Sequence, residues 1–469
     1  MKKRFWGWLW ILTVAAICIF GAESVSAAVG KSDHTLYDYS SAEDWPEAPE
    51  ITAGSAYLIE LNSGAVLYSK DGDAQSYPAS TTKILTALLV LENCELDEEV
   101  TFSYNSIYDI EDGGHHYEFQ EGEVLTVSEC LQFLLVESVN EVAYALAEHV
   151  AGSVDAFAEL MNERAAELGA TNTHFTNPHG LNDEDHYTTA HDMAMILWGC
   201  IQSEAFRQYA SQTEVSLSGR AVKTDGFNTY TNHHLMLIPT SEYYNSSVVC
   251  GKTGYTSLAG NTLVTYASQG GMDVICIIMQ GSSDRFEDTQ KLLDYAFDSF
   301  SLTPMSEAVS TNLSGLGSLS LVTDVEEDAS LCLPTGVDIS SLTTEFAVRE
   351  TEEADSVLGV KTWYYQGMEI GSATVQMSLA SSDSSSEVSE AETSETPDSD
   401  GTAEVSGTES AEADEEADGK NSSDSWNVME IVALVLLGIL LFFLLAILIR
   451  LLQNHNRRKR KRHRRRRRY

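Results

Sequence analysis

The sequence predicts an α+β fold on three observations. Two strand-like runs, residues 55–61 and 65–69, flank Asn62-Ser63-Gly64 and read as a hairpin. Three more strand-like runs come much later, at 248–256, 261–267 and 272–280, the last two joined by a Gln269-Gly270-Gly271 turn, and a helix over 284–300 closes the unit. Between these two groups the apolar spacing is helical, as in residues 127–135 and 142–150. Strands at both ends with helices between them give an α+β order.

Taken in order, the chain opens on Met1-Lys2-Lys3-Arg4, an apolar run over 5–20 and Val25-Ser26-Ala27. A basic start, an apolar stretch and a small-residue site make a secretory signal over 1–27, followed by a leader over 28–52. After the hairpin, Pro78-Ala79-Ser80-Thr81-Thr82-Lys83 runs directly into apolar residues 84–91. If Ser80 opens that helix, Lys83 lies one turn on along the same face, which puts an amine within reach of a hydroxyl. A serine nucleophile without a histidine base needs that pairing, with the lysine desolvated or beside another cation. Unpaired N–H groups at a helix start also suit a developing oxyanion. Ser-x-x-Lys alone is common, and its plain structural meaning is a capping serine with an exposed lysine.

Two further elements give it weight. Ser138-Val139-Asn140 lies between the two helical runs and reads as an interhelical turn, where Ser and Asn also serve as caps. Lys252-Thr253-Gly254 follows Val248-Val249-Cys250-Gly251 and precedes Tyr255-Thr256, a strand context in which glycine permits close backbone approach. Ser-x-x-Lys, Ser-x-Asn and Lys-Thr-Gly in that order resemble the motif set of class A β-lactamases and penicillin-binding proteins.

The surrounding sequence resembles one branch of that β-lactamase/transpeptidase-like superfamily. Asn177-Pro178-His179-Gly180-Leu181, residues 186–193, Thr231-Asn232-His233-His234-Leu235 and Ala259-Gly260-Asn261 are similar to the D-alanyl-D-alanine carboxypeptidases, the low-molecular-mass penicillin-binding proteins. The resemblance implies an antiparallel sheet flanked by helices plus a helical subdomain, over residues 53–300. It implies Ser80 as nucleophile, Lys83 as base, Ser138 as proton relay and Asn140 as a holder of substrate and lysine. Lys252 and Thr253 would take the substrate carboxylate, Gly254 would admit its backbone, and the N–H groups of Ser80 and Tyr255 would hold the oxyanion. Peptidoglycan stem peptides are the implied substrates and β-lactams the covalent inhibitors, with no cofactor. Val139 stands where the family usually has a small residue, and its side chain is expected to point away from the pocket. A β-lactamase, or an idle β-lactam sensor or structural wall protein, shares the same motifs.

Residues 301–379 turn to short alternating strands, such as 362–370, and read as a small β domain. A Ser/Glu/Asp/Thr-rich linker over 380–425 cannot bury enough apolar surface to order itself, and its r.m.s. reach is roughly 35–40 Å. Within the expected transmembrane helix, 427–452, residues 431–449 form 19 uncharged positions, about 28 Å of helix. The Arg/Lys-rich tail over 453–469 is then expected in the cytoplasm beside anionic lipid.

Charge supports that division. The chain carries 28 Lys and Arg against 71 Asp and Glu, a net charge of −43. Setting aside the 3 basic residues of the signal and the 12 from Arg450 onward leaves 13 against the chain's 71 acidic ones, near −58. An exterior so acidic excludes a general nucleic-acid binder. Cys94, Cys130, Cys200, Cys250, Cys276 and Cys332 are dispersed without Cys-x-x-Cys spacing, and the histidines are scattered without His-Glu-x-x-His, so no metal is expected. An even cysteine count permits disulfides, but Cys130, Cys200 and Cys276 sit in apolar runs and read as buried thiols.

Overall fold

The computed structural model describes residues 34–110, 117, 119–216, 229–305, 319–324, 329–348 and 357–379. The expected signal, linker, transmembrane helix and basic tail lie outside the described residues.

A five-stranded antiparallel sheet is the frame. Its strands are β1 (Ser55–Glu60), β2 (Val66–Lys70), β3 (Val248–Thr256), β4 (Gly260–Gln269) and β5 (Met272–Gly281), in the order β2-β1-β5-β4-β3. All five therefore come from the two predicted strand groups, and the late group inserts beside the early hairpin through the β1–β5 pairing. Central β5 is almost continuously apolar because helices cover both faces. The β1–β2 turn is fixed by Glu60, whose buried carboxylate accepts from Asn62 N at 3.0 Å, Ser63 N at 2.8 Å and Ser63 Oγ at 2.6 Å. Burial still pushes that carboxyl upward.

The principal helices are α1 (Lys83–Asn93), α2 (Asn140–Ala151), α3 (Val154–Glu167), α4 (Ala190–Gln202) and α5 (Arg285–Ser299). Every residue of α1 from Lys83 to Val90 is buried, so this helix is the axis of the helical region, with α2, α3 and α4 packed around it. Helices apolar all round belong in such interior positions. α4 and α5 cover opposite faces of the sheet and pack in separate apolar clusters.

Local structure departs from the sequence expectation at three places. Ser80 does not open an α-helix but sits in a 3-10 turn, Ala79–Thr82, that feeds α1. The tighter turn forms because the Pro78 carbonyl is bonded by Thr81 N at 3.3 Å, Thr81 Oγ1 at 2.6 Å and Thr262 Oγ1 at 3.0 Å. The helix expected over 127–135 is α-helical only over Val127–Gln132 and then widens into a π turn, Phe133–Glu137, which ends at Ser138 with φ +64°. The expected strand over 362–370 is a hairpin, since Gln366 (φ +49°) and Gly367 (φ +84°) turn the chain.

The described C-terminal residues form β6 (Phe300–Pro304), β7 (Leu319–Asp324), β8 (Ser330–Pro334), β9 (Thr343–Val348), β10 (Val357–Tyr365) and β11 (Met368–Leu379). β6 pairs with β8, and the other four make a sheet in the order β7-β11-β10-β9. The leader lies along this region, with Tyr39 Oη donating to Cys332 O and the Trp45 ring 4.8 Å from Phe300. All six cysteines outside the signal are free thiols, five of them buried.

Candidate active site

Lys83 is fully buried at the first position of α1. Its Nζ donates to Ser80 Oγ at 2.9 Å, Asn140 Oδ1 at 2.7 Å and His179 O at 2.7 Å. Burial first, and then the Lys252 charge, hold its pKa well below the usual lysine value, while Glu141 acts the other way. Two of the three partners, the Asn140 amide oxygen and the His179 carbonyl, only accept. A neutral Lys83 can keep both with its two remaining hydrogens, so its lone pair is left facing Ser80, the one partner able to donate. The capping serine with an exposed lysine is therefore not what these residues form.

The carbonyl under Lys83 comes from a loop built to hold it. Asn177 Oδ1 accepts from His179 N at 3.2 Å and Gly180 N at 2.7 Å, and Thr86 Oγ1 donates to Pro178 O at 2.7 Å. His186 ties the same loop to the turn that carries Ser80. Its Nδ1 accepts from Thr176 N at 3.1 Å, which leaves Nε2 to donate to Thr82 Oγ1 at 2.9 Å. Burial lowers the His186 pKa to about 3, so the ring is neutral and this tautomer persists. Ala79, directly before Ser80, is held at φ +51°, a conformation that costs about 1–3 kcal/mol.

On the facing strand, Lys252 is 1% exposed and donates from Nζ to Thr253 O at 2.9 Å. Burial lowers its pKa to about 7, the Glu137 charge opposes that, and Arg285 adds to it. Thr253 is buried, and Gly254 meets the turn that carries Ser80. A Cβ on Gly254 would stand 2.3 Å from Thr262 Oγ1 and 2.9 Å from Ser80 N, so only glycine lets β3 lie this close. Tyr255 is 65% exposed, with its side chain at the protein surface.

Ser80, Lys83 and Asn140 are thus joined by hydrogen bonds, and Gly254 abuts Ser80. Ser138 follows the π turn, and its buried Oγ has no hydrogen-bond partner among the described residues. Val139 is fully buried in the core beside α1 and α2. Sequence reasoning missed Glu137, which accepts from Tyr117 Oη, lies 3.5 Å from His233 Nε2 and offsets the burial of Lys252. Nothing in the local sequence distinguished it. The His179 carbonyl and the His186–Thr82 link fall in segments quoted only for their likeness to a family, because backbone groups leave no trace in side-chain spacing.

A serine-lysine pair at a 3-10 turn, opposed by a Lys-Thr-Gly edge strand on an antiparallel sheet flanked by helices, defines a penicillin-binding-protein type of fold and site. The D-alanyl-D-alanine carboxypeptidase family matches residues 42–283, and the chain belongs to that family of low-molecular-mass penicillin-binding proteins. It is 32% identical over 262 residues to D-alanyl-D-alanine carboxypeptidase DacF of Bacillus subtilis, covering 54% of this chain and 64% of the relative. Over 275 residues it is 31% identical to DacC of Escherichia coli, covering 56% and 66%. The chain therefore spans just under two thirds of the length of these curated relatives. Penicillin binding protein 5 from Haemophilus influenzae is similar in structure, with a TM-score of 0.58 at 25% identity, covering 71% of this chain and 98% of that one.

Proposed function

We propose that this chain is a secreted serine-type D-alanyl-D-alanine carboxypeptidase that removes the terminal D-alanine from peptidoglycan stem peptides and is acylated by β-lactams. The observation that carries this reading is the Lys83 Nζ contact to Ser80 Oγ at 2.9 Å, with both other partners acceptor-only. Neutral Lys83 takes the Ser80 proton as Oγ attacks the carbonyl between the two D-alanines. The N–H groups of Ser80 and Tyr255 receive the oxyanion. The C–N bond then breaks, the proton passes through Ser138 to the departing D-alanine amine, and an ester remains on Ser80. Water hydrolyses that ester and restores the serine. Lys252 and Thr253 hold the substrate's free carboxylate, and Asn140 orients the substrate amide and Lys83. The unpartnered Ser138 Oγ suits a group that completes its hydrogen bonds only with substrate.

The same reading places the catalytic part outside the cell, with residues 427–452 as a single transmembrane helix, residues 453–469 in the cytoplasm against anionic lipid, and residues 380–425 as a flexible tether. Among the described residues no helix is long and apolar enough to cross a membrane, and the proposed span lies outside them. The test is D-alanine release from a synthetic pentapeptide, measured beside covalent labelling by a fluorescent penicillin. Release with durable labelling supports the carboxypeptidase. Rapid loss of label indicates a β-lactamase, and label without release a sensor or structural protein.

A further inference from the structure

A separate group of ligand-type side chains gathers at the far ends of the two helices that carry Lys83 and Asn140. Cys94 directly follows α1, in extended backbone (φ −132°, ψ 150°). His149 lies in the last turn of α2. Glu98 precedes the short strand Glu99–Thr101. The Cys94 sulfur, a Glu98 carboxylate oxygen and a His149 ring nitrogen all lie within 4.8 Å of one another. His149 Nε2 and Glu98 Oε2 are 3.0 Å apart. Glu98 Oε1 accepts from Glu95 N at 2.8 Å, which fixes the carboxylate with its second oxygen toward the histidine. Cys94 is also the one cysteine of the six that is not fully buried, so an ion can reach it.

We propose that Cys94, Glu98 and His149 form a zinc site with three protein ligands and a fourth position open to water. A thiolate, an imidazole and a carboxylate are the donor types zinc takes, whereas magnesium and calcium take oxygen alone. Tetrahedral zinc bonds of about 2.0–2.3 Å set donors roughly 3.3–3.8 Å apart. The nitrogen–oxygen pair then opens slightly and the sulfur closes in, which side-chain rotation supplies. On binding, sulfur gives its proton to solvent and forms the S–Zn bond. His149 binds through Nε2 with its hydrogen on Nδ1, and Glu98 Oε2 exchanges that hydrogen bond for the metal. The ion would pin the ends of α1 and α2 together, away from Ser80.

Full-length protein, reduced and stripped with a chelator, is titrated with Co2+ and then Zn2+. The expected result is one ion per chain, with a thiolate-to-cobalt charge-transfer band that Zn2+ abolishes. Zn2+ should also raise Tm, since a ligand bound only to the folded state stabilises it. Cys94→Ser should lose the band and the Tm rise, and Glu98→Gln and His149→Ala should each weaken Zn2+ binding by about 10- to 100-fold or more. The spectrum of the unsubstituted protein decides even if a variant misfolds. Cobalt bound without a sulfur band, no binding, or full zinc affinity in Cys94→Ser overturns the site.

Discussion

Gly180 lies so close to Ala79 that a Cβ on it would stand 1.8 Å from the Ala79 carbonyl oxygen and 2.9 Å from Thr82 Oγ1. The loop that supplies the His179 carbonyl to Lys83 is thus wedged directly beneath the turn that carries Ser80. Two positive φ values, +86° at Gly180 and +51° at Ala79, meet at this contact. Ser80 and Lys83 are positioned together, because neither segment can move without the other.

Gly180→Ala should therefore damage both stability and acylation. The φ cost alone is about 1–3 kcal/mol, and forcing the turn aside adds to it, for a Tm fall of roughly 4–12 °C. A displacement of about 1 Å at the nucleophile costs around 10²-fold in rate. Stopped-flow labelling with a fluorescent penicillin reads the rate, and unchanged acylation would show that the wedge does not position Ser80.

Ser80→Ala should abolish penicillin labelling and D-alanine release while the circular dichroism stays that of the parent. Label at another serine sinks the assignment. Lys83→Ala should cost about 10²–10⁴-fold, the usual worth of a general base. Lys83→Arg should not rescue it, since a guanidinium stays protonated and offers no lone pair.

The two lysines should set opposite limbs of a pH profile. On the proposed mechanism Lys83 acts when neutral, so acylation should rise as pH climbs through its depressed pKa. Lys252 acts when charged, and its pKa near 7 in the free protein makes capture of a free carboxylate fall above that pH. An amidated substrate should lose the alkaline limb and keep the acid one. Stability follows the same titration. The folded-state Lys252 value of about 7 lies below the ordinary 10.5, so the unfolded chain binds more protons between them and stability rises with pH across that window. Lys252→Met should flatten this rise, as measured by urea denaturation at several pH values.

Much of this site was legible because its chemistry is carried by side chains at fixed local spacing. Ser80 and Lys83 share one turn, and Lys252, Thr253 and Gly254 are consecutive on a strand whose bounds the sequence marked. Backbone devices were not legible. The 3-10 turn depends on Thr262, far along the chain, bonding the Pro78 carbonyl, and the π turn before Ser138 has no periodicity to betray it. Glu137 and the His179 carbonyl matter only through what folding brings beside them. The proposed zinc ligands Cys94, Glu98 and His149 are likewise brought together only by folding, because side chains from two helix ends share no sequence spacing.

The charge asymmetry around residues 431–449 predicts orientation. Protease added outside intact protoplasts should cut the 380–425 linker and release a soluble fragment that still labels with penicillin. Digestion of the basic tail instead, with the catalytic part protected, would reverse the topology.

Lys252 gives the sharpest test of substrate class, because on the proposed mechanism its charge is what holds a terminal carboxylate. The amine is 1% exposed and bonded only by its neighbour's carbonyl at 2.9 Å among the described contacts, so a carboxylate would meet a cation that is nearly free of competing partners. Arginine keeps the charge but replaces a compact ammonium with a broad planar fork, and the two are not interchangeable in a tight site. Lys252→Arg should retain part of the activity and Lys252→Gln much less. One charge-assisted hydrogen bond is worth about 1.5–3 kcal/mol, or roughly 10- to 150-fold in rate. The comparison is kcat/KM on a pentapeptide with a free carboxylate against its C-terminal amide. The loss in Lys252→Gln should be confined to the free acid. Near-full activity on the acid, with no change in the acid-to-amide ratio, would mean that Lys252 does not read the carboxylate, and would favour an endopeptidase over a carboxypeptidase.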